Sequence, residues 1–374
     1  MRAQLTIFFI TVAGFVSAQS FNVQWRQADT IARTIERGRT PPGPGGSSLI
    51  SINDVRDKDA TQVINEAIVE RHRAGGGRIV FLAGEYVTGQ IEMLSDVRLF
   101  LTESAVLRFR PSSDKDQQLI YARQQSNISI TGRGTLVGHS NAPISVFEGC
   151  RNVLIDGVRF DRGGDNIVIR STEDIVIRNV TMRAGDNGIV ITNEMPGNSR
   201  NVFFENGEMN SRQLQRMIHV KSDLTREGVI ENIFVRNINL DSCSEAILHV
   251  EMRYDDEETE VPTRAFVRNI FVENVTGKSS NFALLVDGFS EGRQVDNIVF
   301  KDCLLEGIKD SGLNKIVGAV NVSFVSTTIT SDPEYKIQGS PLRGMSLDER
   351  RRLFEERHRE RMEMRRQMEQ NQGR

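Results

Sequence analysis

A short phrase recurs eight times between residues 127 and 324 and constrains the fold more than any other feature of the sequence. Each copy begins with Asn or Asp and continues with mostly β-branched or aromatic residues. The copies start at Asn127, Asn152, Asp174, Asn201, Asn232, Asn269, Asn297 and Asn321, with steps of 25, 22, 27, 31, 37, 28 and 24 residues. This period is too long for a meander of hairpins and lacks the 3.6-residue spacing of helices. It indicates a solenoid whose turns each contribute short parallel strands.

A second polar position follows the first by five residues in several copies. It is occupied by Asn179, Asn206, Asn237, Asn274 and Asp302. Amides that stack at a bend in successive turns can hydrogen-bond to their neighbours above and below, so we assign these side chains a structural role. Between them, Val, Ile and Phe alternate with polar residues, as in strands with one face toward the interior. The sequence therefore predicts an all-β fold, a right-handed single-stranded parallel β-helix.

The N-terminus has the three parts of a secretory signal peptide. Arg2 supplies a charge, Leu5 to Val16 is an apolar run, and small residues end at Ala18. The run is shorter than the roughly 20 residues that a membrane anchor needs. We therefore expect cleavage after Ala18, export of the chain, and no integral membrane segment in the mature protein.

Four segments follow from these patterns. We expect a signal peptide over residues 1–18, an N-terminal segment with a linker over 19–48, the β-helix over 49–340 and a charged helical tail over 341–374. Ala60 to Arg73 is the one good amphipathic helix before the repeats, with Asp59 as its N-cap. We expect this helix to cap the first turn, because the open end of a solenoid exposes unpaired backbone.

Charge and cysteine content exclude several classes of protein. The 374 residues include 47 Lys and Arg against 50 Asp and Glu, a formal net charge of −3. Phosphate binding usually requires a basic excess, so we expect no nucleic-acid partner. Three widely spaced cysteines, Cys150, Cys243 and Cys303, provide neither a zinc site nor a disulfide scaffold. We expect no metal site and a monomer.

Three segments near the start of the predicted solenoid carry a resemblance. They are Asp57-Lys-Asp-Ala-Thr61, Ala74-Gly-Gly-Gly-Arg-Ile-Val-Phe-Leu-Ala-Gly-Glu-Tyr86 and Thr131-Gly-Arg-Gly-Thr-Leu-Val-Gly138. Together they are similar to glycoside hydrolase family 28, the polygalacturonases and their relatives, and the resemblance covers most of residues 50–330. It implies a secreted hydrolase that needs no cofactor and acts on an acidic polysaccharide such as pectin. Such hydrolysis needs two carboxyl groups, one to protonate the leaving oxygen and one to activate water.

The family's site motifs are only partly matched. It places Asn-Thr-Asp, Asp-Asp, Gly-His-Gly and Arg-Ile-Lys on successive turns. Asp165 fits the second position of Asp-Asp, while Asp186-Asn187-Gly188 stands in the place of Gly-His-Gly and residues 141–143 lack the aspartate of Asn-Thr-Asp. Under this resemblance, the sequence keeps one of the family's three aspartates and has no histidine at the family's position.

The later turns resemble the part of the family's site that binds substrate. Ile218-His-Val-Lys221 is similar to Arg-Ile-Lys, with His219 in the place of the arginine. Tyr254 resembles a tyrosine that the family uses beside the substrate. The resemblance thus implies substrate-binding roles for Lys221, His219, Asn187 and Tyr254.

A repeated tripeptide offers a catalytic pair of its own. Gly164-Asp165-Asn166 and Gly185-Asp186-Asn187 are identical and lie 21 residues apart. On adjacent turns the two carboxylates would stack about 4.8 Å apart. Double ionisation is then disfavoured, so one pKa should rise and an acid and base pair becomes possible. The alternative is that Gly-Asp-Asn only forms tight bends.

Three functions are consistent with the sequence. The first is a secreted glycoside hydrolase of an acidic polysaccharide that uses Asp165 and Asp186 as the catalytic carboxyls. The second is a non-catalytic β-helix that binds or scaffolds glycans, which the missing family aspartates and histidine would explain. The third, less favoured, is a polysaccharide lyase, which needs a strong base beside the uronate in place of an acid and base pair.

Overall fold

The computed structural model describes residues 18–37, 46–111, 117–139, 142–183, 185–194, 197–211, 213–222, 226–253, 264–289, 294–309 and 314–331. The chain divides into two units, Met1–Asp332 and Pro333–Arg374, and all described residues belong to the first. Most of the predicted signal peptide, much of the linker and the whole charged tail lie outside the described residues. Among the described residues, no helix has the length and apolar character needed to cross a membrane.

The described chain consists of three helices followed or interrupted by 27 strands. The helices are α1 (Ala18–Arg37), α2 (Ile52–Val55) and α3 (Ala60–Arg73). The first nine strands are β1 (Ser47–Ile50), β2 (Gly77–Phe81), β3 (Gly84–Thr88), β4 (Ile91–Glu92), β5 (Val97–Leu101), β6 (Ala105–Phe109), β7 (Ile120–Arg123), β8 (Ser126–Gly132) and β9 (Thr135–Val137). The next nine are β10 (Ser145–Glu148), β11 (Arg151–Asp156), β12 (Arg159–Asp161), β13 (Ile167–Arg170), β14 (Glu173–Arg178), β15 (Thr181–Arg183), β16 (Asp186–Thr192), β17 (Ser199–Met209) and β18 (Leu214–Lys221). The last nine are β19 (Glu227–Leu240), β20 (Ala246–Glu251), β21 (Arg264–Gly277), β22 (Phe282–Asp287), β23 (Val295–Lys301), β24 (Leu304–Ile308), β25 (Asn314–Val317), β26 (Ala319–Val325) and β27 (Thr328–Ser331).

The strands pair in parallel from one turn to the next. A nine-stranded sheet contains β4, β7, β10, β13, β16, β18, β20, β22 and β25 in that spatial order, and the other 18 strands form a second sheet. Strands of the nine-stranded sheet pair only with the strands one turn before and after them, as β13 does with β10 and β16. The parallel β-helix that the sequence predicts is confirmed.

The core is a set of columns that run along the solenoid. In one of them Ile167, Ile189, Ile218, Leu248 and Leu284 lie in register on successive strands of the nine-stranded sheet, and all five are buried. Each inward side chain rests on its counterpart in the next turn. The alternation of apolar and polar residues therefore fixes which residues face inward and which face outward.

The asparagine ladder predicted at the second polar position is present, and the first polar position forms a further ladder at another bend. In the first ladder Asn152 donates to Asn127, Asn201 to Asp174, Asn232 to Asn201, Asn269 to Asn232 and Asn297 to Asn269, with distances of 2.8 to 3.2 Å. In the second, Asn206 donates to Asn179, Asn237 to Asn206 and Asn274 to Asn237. All of these residues have φ between 50° and 60°. Asn tolerates this left-handed conformation, so the ladder residue supplies both the bend and the bond.

The capping helix forms where the sequence predicts it. The carboxylate of Asp59 accepts a hydrogen bond from the backbone N–H of Thr61 at 2.8 Å, which makes it the N-cap of α3. Ile64 and Ile68 are fully buried and join the core of the β-helix. The helix therefore extends that core at its N-terminal end.

Helix α1 corrects the expectation that Ala60 to Arg73 is the one amphipathic helix before the repeats. Trp25, Ala28, Ala32 and Ile35 lie on one face of α1 and are buried. They pack on the outer face of the 18-stranded sheet against a column formed by Leu154, Val176, Phe203 and Phe234. The guanidinium of Arg236 lies 3.9 Å from the Trp25 ring centroid, which adds a cation–π contact to the buried area.

We predict that Asn232→Ala destabilises the fold by about 3 kcal/mol. The substitution removes two ladder hydrogen bonds, to Asn201 and from Asn269, each worth about 1 kcal/mol. It also places alanine at φ 59°, a left-handed conformation that asparagine tolerates and that costs alanine roughly 1 to 2 kcal/mol. Denaturant unfolding measures the change. Asn232→Gly loses the same bonds without the conformational cost, so equal losses in the two variants would contradict the ladder's double role.

We predict that Ala28→Arg displaces α1 from the sheet, because Ala28 is 1% exposed and an arginine there cannot be accommodated without opening the contact. Trp25 is the one tryptophan of the chain, so its fluorescence reports directly on this contact. Its emission should shift to longer wavelength while the far-ultraviolet circular dichroism of the strands remains. Gln27→Arg, on the exposed face of α1, makes the same charge change and should leave the emission unaltered. An unchanged emission maximum in Ala28→Arg would show that α1 does not dock in this way.

Candidate functional site

The candidate residues gather on the outer face of the nine-stranded sheet, over β13, β16, β18 and β20. Val168, Val190, His219 and His249 form one outward column in register. The next outward column contains Arg170, Thr192, Lys221 and Glu251. Asp165, just before β13, and Asp186 and Asn187, the first residues of β16, complete the site at one edge of the sheet.

Asp165 lies in line with Asn187, not with Asp186. Ile167 pairs with Ile189, so the offset between the two turns is 22 residues, whereas the repeated tripeptide has an offset of 21. The amide Nδ2 of Asn187 donates to Oδ1 of Asp165 at 2.7 Å. The expected direct stacking of the two aspartates is therefore wrong by one residue, because the hydrogen-bond register of the strands and not the tripeptide sets the alignment.

Asp186 is held by a different partner at the start of β16. It has φ 53°, the left-handed conformation that Asn and Asp tolerate at bends and that the ladder residues share. Its Oδ1 accepts a hydrogen bond from Nε2 of Gln215 at 3.1 Å. Each aspartate of the pair thus keeps one amide partner on the following turn.

Burial raises the pKa of the Asp165 carboxyl, and the charge of Asp186 raises it further. The hydrogen bond from Asn187 and the charge of Lys221 act in the opposite direction without cancelling the rise. The sequence predicts that one pKa of the pair is raised, and this is confirmed for Asp165. The main cause is desolvation, with repulsion from the second carboxylate a smaller contribution.

His219 and His249 form a buried stack that is paired with carboxylates. Their rings are 4.8 Å apart and nearly parallel, and they are 1% and 2% exposed. Nε2 of His219 lies 2.8 Å from Glu251, and Nε2 of His249 lies 3.3 Å from Asp287. Burial and the charge of Arg216 hold the pKa of His219 well below its usual range, so this imidazole is neutral.

His219, His249 and Glu251 also offer ligand atoms within 4.8 Å of one another, as a metal site would. However, Nε of Arg216 donates to Nδ1 of His249 at 3.0 Å. Arginine can only donate, so this ring accepts at Nδ1 and carries its proton on Nε2, directed at Asp287. A protonated nitrogen is not a ligand, and we therefore assign no metal to this group.

The predicted substrate-binding residues are only partly brought together. Asn187 contacts Asp165, and Lys221 lies outward on β18 close enough to lower the pKa of Asp165. The side chain of His219 is buried against Glu251, so Nε2 of its ring contacts protein and not solvent. Tyr254 lies outside the described residues.

Sequence reasoning missed Gln215 and His249. One signal could have found His249. Ile218-His-Val and Leu248-His-Val are similar phrases 30 residues apart, which places both histidines at the same position of successive turns. Gln215 gives no such signal, because it lies at an irregularity of the register.

Comparisons with known proteins give a family and a fold. The family model for glycosyl hydrolases family 28 matches residues 126–322, more than half of the chain. No curated protein matches the sequence. The structure of a hyperthermoactive exopolygalacturonase from Thermotoga maritima has a TM-score of 0.54 and 18% identity, over 82% of this chain and 96% of that chain. This likeness shows the β-helix fold alone.

Two further structures are similar over a comparable length. The polygalacturonase from Erwinia carotovora ssp. carotovora has 16% identity and a TM-score of 0.46, over 76% of this chain and 99% of that chain. The family 28 exopolygalacturonase of Yersinia enterocolitica has 13% identity and a TM-score of 0.42, over 76% of this chain and 78% of that chain.

We predict that Asp165→Asn stabilises the protein at pH 7. The pKa of Asp165 in the folded state is raised above its ordinary value of 3.8, so this carboxyl ionises less readily in the folded than in the unfolded protein, and above the unfolded-state pKa that difference opposes folding. Each unit of that difference is worth about 1.4 kcal/mol. The advantage of the variant should shrink as the pH falls through the folded-state pKa and vanish below the unfolded one.

Thermal or denaturant unfolding at pH 7 and pH 4 measures this difference. Asp161→Asn changes an aspartate of the preceding strand β12, outside the pair, and should show no such pH-dependent gain. An Asp165→Asn protein that is less stable than the parent at pH 7 would contradict the assignment of Asp165 as a desolvated carboxyl.

Proposed function

Because the chain belongs to family 28 of the glycosyl hydrolases, we propose that it hydrolyses glycosidic bonds in an acidic polysaccharide such as pectin. The observation that carries the proposal is the pair Asp165 and Asp186 on adjacent turns, with the pKa of one carboxyl raised and each held by an amide. Two carboxyls with different environments can divide the acid and base roles between them.

The protonated Asp165 donates its proton to the glycosidic oxygen as the bond from that oxygen to the anomeric carbon breaks. Asp186 accepts a proton from the water whose oxygen forms the new bond to that carbon. The products are two shorter sugar chains, one with a new reducing end, and the pair returns to its starting state by proton exchange. The raised pKa suits Asp165 to keep its proton to a higher pH than an ordinary aspartate does, as a general acid requires.

Lys221 and Asn187 are the residues that we assign to substrate on this face. The ammonium of Lys221 attracts the carboxylate of a uronate, and Asn187 lies beside the catalytic pair. His219 and Tyr254 complete the proposed set of substrate-binding residues. The ring of His219 is buried and hydrogen-bonded to Glu251. The reaction requires no cofactor.

A non-catalytic glycan-binding scaffold is the second candidate, and ion pairing on the same face favours it. Arg216 forms an ion pair with Glu245, while His219 and His249 are hydrogen-bonded to Glu251 and Asp287. Charges that are already paired contribute less to the binding of an anionic transition state than free ones do.

We propose that the mature protein is exported as a monomer. The support for export is the signal-like N-terminus, in which residues Leu5 to Val16 are apolar and a run of small residues ends at Ala18. A polysaccharide too large to enter a cell requires its hydrolase outside the cytoplasm.

The test is a product assay of the mature chain on polygalacturonate and other acidic glycans, with separate detection of reducing ends and of 4,5-unsaturated ends. We predict new reducing ends without unsaturation, and a loss of roughly 100-fold to 10,000-fold in kcat for Asp165→Asn and for Asp186→Asn. Asp161→Asn serves as the matched control and should retain activity. Unsaturated products would identify a lyase, and glycan binding without any product would identify the scaffold.

A further inference from the structure

Arg216 connects the two candidate carboxylates through two amides. Its Nη1 donates to Oδ1 of Asn187 at 3.3 Å and to Oε1 of Gln215 at 3.2 Å. Asn187 in turn donates to Asp165, and Gln215 donates to Asp186. Nη1 of Arg216 is therefore linked to each amide by one hydrogen bond and to each carboxylate by a chain of two hydrogen bonds.

The directions of these hydrogen bonds are fixed by chemistry. A guanidinium has five N–H donors and no acceptor. The amide oxygens of Asn187 and Gln215 must therefore face Arg216, and their NH₂ groups must face the aspartates. Without that anchor each amide could rotate and present its oxygen to a carboxylate, which would repel it. Arg216 thus selects the amide orientation that holds Asp165 and Asp186.

A β-bulge places these side chains. Asp186 pairs with Leu214 and Asn187 pairs with Arg216, so Gln215 is an extra residue in β18 at this point. A bulge re-aims the side chains beside it and is frequent next to active sites. Here it lets two consecutive residues, Gln215 and Arg216, reach two consecutive residues of the preceding turn, Asp186 and Asn187.

Arg216 is itself held on its other sides and has little left to offer a substrate. Its Nη2 is paired with Glu245, and its Nε donates to His249 at 3.0 Å. With the two bonds from Nη1, at least four of its five donors are directed at protein acceptors. His249 is fixed in turn by Asp287, which also lies 3.5 Å from Lys315. The arginine side chain is 15% exposed, so its surroundings are those of a structural anchor.

We propose that Arg216 is a positioning residue of the catalytic pair, which it orients through Asn187 and Gln215 without touching either aspartate or the substrate. The proposal rests on the function proposed above, in which Asp165 and Asp186 are the catalytic carboxyls.

The first test is the effect of Arg216→Met and Arg216→Lys on kinetics with the glycan that the parent cleaves. Both variants should lower kcat about 10-fold to 100-fold and leave KM within about twofold, because the fork to two amides is lost while substrate contacts remain. Lysine keeps the charge but not the planar fork, so it should not rescue. Arg159→Met, an exposed arginine on β12, is the matched control. A raised KM with unchanged kcat in Arg216→Met would overturn the proposal and make Arg216 a substrate-binding residue.

The second test does not depend on activity. The carboxyl carbon of Asp165, assigned with Asp165→Asn, is titrated by nuclear magnetic resonance in the parent and in Arg216→Met. The hydrogen bond from Asn187 lowers the pKa of Asp165, so loss of its anchor should raise that pKa. The basic limb of the kcat profile should move to higher pH with it. An unchanged titration in a folded Arg216→Met protein would overturn the proposal even if the parent is inactive.

A double-mutant cycle separates positioning from general loss of structure. If Arg216 acts through both amides, Arg216→Met should add less than twofold to the defect in kcat of a variant that carries Asn187→Ala together with Gln215→Ala, whereas independent effects would multiply. Multiplying effects would overturn the relay. A parent that cleaves no glycan while the titration shifts as expected would refute the proposed function and leave the anchoring role of Arg216 standing.

Discussion

Parallel pairing of each turn with the next is the constraint on which the rest of the molecule depends. Strands in register lie about 4.8 Å apart, so every side chain has a neighbour at the same position one turn above and one below. Inward positions become apolar columns, and bends become ladders in which each asparagine bonds to the next. A turn lengthens in its loops or at a bulge such as that of Gln215, because an extra residue in a regular part of a strand would shift all later side chains to the other face. The steps of 22 to 37 residues between repeats are compatible with one core for this reason.

The same constraint builds the site on the outer face. Stacking would bring like residues together, and two aspartates directly in line would repel one another. The observed register avoids this by aligning Asp165 with Asn187, and the bulge at Gln215 gives Asp186 a separate amide. The two carboxyls therefore differ in environment although they come from two identical copies of the tripeptide Gly-Asp-Asn. On the following turns, Arg216 is paired with Glu245, and His219 and His249 are hydrogen-bonded to Glu251 and Asp287, so these side chains are fixed on the face.

Helix α1 illustrates how the outer surface of a solenoid also needs covering. The aromatic column that includes Phe203 and Phe234 faces outward from the 18-stranded sheet, and Trp25 and Ala28 cover it. Spacing alone could have suggested an amphipathic helix before the linker, since Trp25, Ala28, Ala32 and Ile35 recur every three to four residues. The polar residues between them lower the average hydrophobicity of the segment, and its partner surface lies more than 100 residues away along the chain. Only the packed sheet reveals why this helix forms.

The amino-acid sequence by itself determined the β-helix, its turns, the ladder asparagines and the capping helix α3. These features depend on short-range periodicity and on residue types that favour particular backbone conformations, both of which are readable along the chain. It also singled out Asp165 and Asp186. The tertiary structure decided which residue of one turn lies against which residue of the next. A difference of one residue, 22 against 21, and a single bulge moved Asn187 beside Asp165 and brought Arg216 behind both aspartates. Such register is set by the sum of backbone hydrogen bonds and core packing over many turns, and no local pattern encodes it to the residue.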